Sequence, residues 1–99
     1  MNIKIAGIPY TVKEVGTIDE ADEGVVRGKI LYSNGLILLK RNQPKELKRE
    51  TLIHEVVHGL FVEIGRNDLS EDETLVQSLA NAIMNTKGVF EEKNNGENK

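Results

Sequence analysis

A chain of 99 residues, 38% of them hydrophobic, has the size of one small domain with a thin core. It contains no cysteine, which excludes a disulfide framework and any thiolate metal site. A net charge of -3 argues against general nucleic-acid affinity, and no apolar run approaches the roughly 20 residues that span a membrane.

The first forty residues read as a small antiparallel sheet. Asn2-Ile3-Lys4-Ile5 and Tyr10–Val15 alternate apolar with polar, as half-buried strands do. Gly7-Ile8-Pro9 between them reads as a turn, with Pro9 at a strand start or edge. Met1–Ile5 lacks the apolar core of a signal peptide, so a cytoplasmic location is expected. Residues 16–24 carry Asp19, Glu20, Asp22 and Glu23 and read as a solvated acidic loop, without the spacing of a calcium loop. Val25–Tyr32 reads as a strand. Ser33-Asn34-Gly35 carries the Asn-Gly hairpin signal, and Leu36–Lys40 returns as the partner strand.

Asn42-Gln43-Pro44 opens the first helix, with Pro44 near its first position. The opening turns are charged (Lys45, Glu46, Lys48, Arg49, Glu50). With Lys40 and Arg41 they form a basic cluster, read as a solvated face. The helix then turns apolar at Leu52, Ile53, Val56, Val57, Leu60, Phe61 and Ile64, which predicts burial around most of its circumference. Gly65 supplies the stop. Arg66–Leu69 is expected to be a connecting loop. Ser70 with Glu73 reads as a capping box that opens a second helix, running to about Asn85. Its apolar stripe is Val76, Leu79, Ala80 and Ile83, with Leu75 on the flank. The expected class is α+β: a small antiparallel sheet followed by two helices, in one domain over residues 1–88. Residues 89–99 have little to bury and read as a disordered tail.

The first helix contains His54-Glu55-Val56-Val57-His58, a His-Glu-x-x-His motif that uses both histidines of the chain. Residues four apart lie one above the other on a helix face. Two imidazoles therefore converge as two ligands of a zinc ion. Glu55, one step round the helix, can reach a water at the metal and act as general base without ligating. Burying His54, Glu55 and His58 costs free energy unless each finds a partner, and a metal serves all three. The competing reading makes both histidines polar residues of a half-buried helix, satisfied by backbone or water.

A catalytic zinc takes a third protein ligand and keeps an open position. With no other His and no Cys, that ligand must be a carboxylate. Glu63 points away from the histidines. Asp68, Glu71, Asp72 and Glu73 remain. Glu73 extends the stripe Val76, Ala80, Ile83 back by one helical step, so it can face the core and the first helix. Asp72 nearly does the same, and the capping box is a competing role for Glu73. Tyr10 and Tyr32 are the only phenols that could add an oxyanion donor, and each is read first as a packing residue.

His54–His58 followed by Glu73-Thr74-Leu75-Val76-Gln77-Ser78-Leu79-Ala80-Asn81 resembles the ImmA/IrrE-type zinc metallopeptidases, a gluzincin-like group, especially their short phage and prophage forms. The resemblance covers about residues 28–84. In that family a glutamate of the next helix is the third ligand, ahead of a pattern like Glu-x-x-Ala-Asn-x-Phe-Ala. Glu73, Val76, Gln77, Leu79 and Ala80 take those places here. The resemblance implies Zn2+ held by His54, His58 and Glu73, with Glu55 as catalytic base, on a zincin-like fold. It also implies hydrolysis of a protein or peptide substrate, often a DNA-binding repressor in phage or mobile-element control. No direct contact with nucleic acid or membrane is expected. The chain departs from the pattern where Val76 and Gln77 replace the commoner small and amide residues. Neither the family's usual leading helix nor a substrate-recognition domain is expected. A strand of the 25–40 hairpin, at a sheet edge, is expected to align an extended peptide by strand addition. The alternative expectation is a non-catalytic, metal-stabilised regulatory module that grips a protein partner.

Overall fold

Alternation puts Ile3, Ile5, Tyr10, Val12, Ile30, Ile37 and Leu39 on one face of a sheet, and that face packs into the core. The computed structural model describes residues 1–18 and 26–89. Its strands are β1 (Asn2–Ile5), β2 (Ile8–Val15), β3 (Gly28–Leu31) and β4 (Leu36–Lys40). The β1–β2 turn is Ala6-Gly7, with φ of 50° and 83°, rather than Gly7–Pro9. Pro9 is thus the second residue of β2. It loses no ladder bond to β4, which pairs with β2 only from Thr11 onward.

The sheet order is β1-β2-β4-β3. β1–β2 and β3–β4 are antiparallel, but β2 and β4 are parallel, so the sheet is mixed and not antiparallel as expected. The reason is topological. The β3–β4 hairpin inserts β4 between β2 and β3, which aligns it with β2 and leaves β3 at the edge. Alternation in sequence reports the face a residue takes and not the strand beside it. The hairpin turn also differs from a two-residue Asn-Gly turn. A 3-10 turn, Tyr32–Asn34, leads into Gly35 at φ 58°. The expected strand Val25–Tyr32 is shortened to Gly28–Leu31, and Val25 lies outside the described residues. So do Asp19, Glu20, Asp22 and Glu23 of the acidic loop, and residues 90–99 of the expected tail.

The helices are α1 (Lys45–Glu63), α2 (Asn67–Ser70) and α3 (Glu73–Met84), one more than expected. The breadth of apolar residues on α1 has a direct cause: the helix is packed on two sides. Leu52, Val56 and Leu60 meet the sheet core, while Ile53, Val57 and Phe61 meet Val76, Ala80 and Ile83 of α3. Leu79, at 38% exposure, falls off the α3 stripe. A Cβ on Gly59 would stand 2.9 Å from Ile5 Cδ1, so the bare backbone there lets α1 lie directly on the sheet. Tyr10 Oη donates to Glu63 Oε2 at 3.0 Å and ties the end of α1 to β2.

The capping box does not form. Of Arg66–Leu69, expected as loop, Asn67–Leu69 form α2 behind Arg66 as its N-cap, and Ser70 becomes a buried residue at its end. Asp72 caps α3 instead, accepting from the Leu75 N–H at 3.0 Å. Among the described residues no helix is long and apolar enough to cross a membrane.

Candidate metal centre

The pitch of α1 stacks His54 over His58 with their Nε2 atoms 3.2 Å apart. Packing of α3 on α1 through Val57, Val76 and Ala80 brings the start of α3 alongside. Glu73, the first residue of α3, completes a triangle. Its Oε1 is 3.2 Å from His54 Nε2, and its Oε2 is 3.3 Å from His58 Nε2. The expectation that Glu73 faces the core is corrected. Its side chain is 69% exposed and reaches the imidazoles from the solvent side, because the first turn of a helix has no preceding turn to cover it. The other carboxylates stand apart from the triangle. Asp68 is paired with Arg66 at 2.8 Å, Asp72 caps α3, and Glu71 lines a neighbouring cleft.

Hydrogen bonds behind the imidazoles decide which nitrogen carries the proton. Gln77 Nε2 donates to Glu50 Oε2 (2.8 Å) and to Asn81 Oδ1 (2.9 Å), which orients the amide. Its Oε1 then accepts from His54 Nδ1 at 2.8 Å. Ser70 Oγ donates to the His58 carbonyl at 3.2 Å, so an oxygen lone pair faces His58 Nδ1 at 3.3 Å. Both protons are thereby assigned to Nδ1, and both Nε2 lone pairs point at each other and at a carboxylate. Such a gathering of lone pairs is relieved by a positive charge placed among them, whether a metal ion or a proton shared with Glu73. Its dimensions suit a metal ion. Bonds of about 2.0–2.1 Å in a tetrahedral zinc site separate neighbouring ligands by about 3.3 Å. His54, His58 and Glu73 are the group of potential metal donors that the described residues bring together.

Glu55 is 8% exposed, and no donor among the described residues hydrogen-bonds its carboxyl. Burial raises its pKa to about 7; the neighbouring His54 pulls it down and the Glu73 charge pushes it up. Gly28 makes room for it. A Cβ there would meet Thr51 Cγ2 at 2.5 Å and Glu55 Oε2 at 3.4 Å. One cleft of about 250 Å³ runs beside His54 and Glu55, walled by Arg27, Gly28, Glu50 and Gln77. A second of about 490 Å³ lies against His58 and Glu73, walled by Tyr32, Val62, Asn67 and Glu71. Tyr10 is a packing residue as expected, but Tyr32 is not. It is 39% exposed on the second cleft, and burial together with the Glu55 and Glu73 charges raises its pKa, against a lowering contact with Ser70. The phenol therefore stays a donor at neutral pH.

Sequence reasoning named His54, Glu55, His58 and Glu73, and the structure brings all four into one site. It missed Gln77, Ser70 and Gly28. Gln77 carried a usable signal, since it stands one helical turn after Glu73 on the same face. Ser70 and Gly28 carried none, because their roles come from chain segments distant in sequence. Comparison with protein-family models, curated proteins and solved structures finds no match to this chain.

Proposed function

We propose that this protein is a zinc-dependent metallopeptidase that hydrolyses a peptide bond of a protein substrate. The observation that carries this reading is the convergence of two Nε2 lone pairs and a carboxylate at 3.2–3.3 Å spacing, beside a buried carboxyl in a cleft. His54, His58 and Glu73 are the residues that would hold the ion. Bound there, zinc supplies Lewis acidity and lowers the pKa of water to about 7.

Glu55 removes a proton from the water that adds to the scissile carbonyl carbon. As the carbon–nitrogen bond breaks, Glu55 delivers that proton to the leaving nitrogen. The products are a carboxylate and an amine. A carboxyl with a pKa of about 7 suits both tasks, since it takes and returns a proton near neutrality. Substrate alignment falls to β3. Arg27 O accepts from Lys40 N at 2.8 Å, so alternation turns the backbone groups of Arg27, Lys29 and Leu31 toward β4. Those of Gly28 and Ile30 face outward from the sheet edge and can pair with an extended peptide beside Glu55.

The resemblance to ImmA/IrrE-type peptidases supports a minimal zincin-like fold and a DNA-binding repressor of a phage or mobile element as the substrate. A metal-clasped binding module fits less well, because the exposed side of Glu73 leaves the site open to approach. The test is Glu55→Gln. It is expected to keep stoichiometric zinc by metal analysis and to lose roughly 10²–10⁴-fold in cleavage rate. Glu73→Ala is expected to lose the metal. Full zinc with undiminished cleavage in Glu55→Gln would overturn the assignment.

A further inference from the structure

The two clefts beside the donors differ in charge. The cleft against His58 is lined by the apolar surfaces of Tyr32 and Val62 and by the polar groups of Asn67, Ser70, Glu71 and Glu73. No lysine or arginine lines it. The cleft against His54 has Arg27 on its wall. Arg66, a nearby cation in sequence, is held by Asp68 through contacts of 3.0 and 2.8 Å. Glu73 is engaged with both imidazoles. Glu71 is exposed, and among the described residues no donor contacts its carboxylate.

A long aliphatic stem with a cationic head matches these walls. Lysine and arginine bury their methylenes along apolar surface and keep the charge at a polar end. An aromatic face such as Tyr32 attracts the cation further. An acidic side chain entering the same cleft would meet the unengaged Glu71 and be repelled, whereas the charge of Glu73 is offset by the ion it would hold. At about 490 Å³ the space also admits a side chain of that length. We propose that this cleft is a specificity pocket for a lysine or arginine side chain of the substrate, with Glu71 selecting the charge. The proposal rests on the peptidase reading and adds the kind of residue accepted beside the cleaved bond.

The test uses the full-length, zinc-loaded protein and a peptide library varied one position at a time. Wild type is expected to cut peptides with Lys or Arg at one position flanking the cleaved bond roughly ten-fold faster than those with Glu there. Glu71→Gln is expected to flatten that preference and Glu71→Lys to invert it. Melting temperatures should stay close to wild type, since Glu71 is exposed. An absent preference, or one unchanged in Glu71→Lys, overturns the pocket while leaving the peptidase reading intact. If wild type cuts no peptide at all, that reading fails separately. Equilibrium binding of the same peptides then decides the pocket. Tighter binding of Lys and Arg peptides, lost in Glu71→Lys, supports it, and equal binding overturns it.

Discussion

Each imidazole of the site is ready for a metal in one tautomer only, and a neutral neighbour selects it. For His54 that neighbour is Gln77, itself oriented by Glu50 and Asn81. Gln77→Leu removes the acceptor and frees the ring to rotate or shift its proton. Zinc affinity is expected to fall roughly 10–100-fold, read by competition with a chromogenic chelator, while the far-ultraviolet circular dichroism is unchanged. Gln77→Glu keeps an acceptor but loses the donor to Glu50 and sets two carboxylates together, so it should recover the affinity only when combined with Glu50→Gln. Glu55 gives a second prediction, this one for the metal-free protein. Its folded pKa of about 7 lies above the ordinary 4.5, so the fold favours the neutral acid. Below about pH 4.5 the carboxyl is neutral in both states and burial carries no charge penalty. As pH rises through 7 the folded state must ionise a buried group, and stability is lost, on the order of 3 kcal/mol for the whole window. Urea unfolding of metal-free wild type between pH 4.5 and 8 should show this loss relative to Glu55→Gln. Parallel stability profiles for the two proteins would mean that Glu55 is not held in a desolvated place.

At the scale of elements, the critical contact is that of β3 with α1. Gly28 has no side chain, and Thr51 Cγ2 occupies the space where a Cβ would go, 2.5 Å from it. Gly28→Ala must push β3 away from the motif helix, at a cost of about 1–3 kcal/mol. Thr51→Ser deletes that methyl and keeps the hydroxyl that donates to the Leu47 carbonyl at 2.8 Å. The pair should therefore be coupled, with the double variant more stable than Gly28→Ala alone, by denaturant unfolding. Strict additivity would show that the two side chains do not compete for one space. This contact also marks where the sequence stopped being informative. The extent of α1 was legible from its apolar pattern and from Gly65, which sits at φ 81° past its end. The convergence of the two imidazoles was legible because His-Glu-x-x-His is a helical-period motif that used both histidines. The parallel pairing of β2 with β4 was not, because any edge order satisfies the same alternation. Ser70 and Asp72 are both good caps, and only the extra turn of α2 decides between them by burying Ser70 against His58. Glu73 does stand beside the two imidazoles, though not in the way its helix position suggested. The helix face was right, but the side chain approaches from solvent rather than from the core.

For the whole molecule, the core is thin and divided. The sheet and α1 share one cluster around Ile5, Tyr10, Val12, Ile37 and Leu39, while α3 is held to α1 by Val57, Val76 and Ala80 with a few half-buried neighbours. A domain of this size buries a modest fraction of its surface and has little stability in reserve. An ion held by His54 and His58 on α1 and by Glu73 on α3 would tie together the two elements that the smaller cluster joins. Metal binding and α3 docking are then the same event, and their free energies are linked. At a free zinc concentration 100 times the dissociation constant, linkage adds about 2.7 kcal/mol. For a domain of this size that is a rise of roughly 10–20 °C in melting temperature. Chelation should reverse it, and Glu73→Ala should abolish it while leaving the metal-free melting temperature near wild type, because the replaced side chain is largely exposed. Amide hydrogen exchange locates the effect: zinc should slow exchange in α3 more than in β1 and β2, which pack on the other side of α1. A melting temperature indifferent to zinc, in protein shown to be folded, would mean that the three donors do not hold an ion.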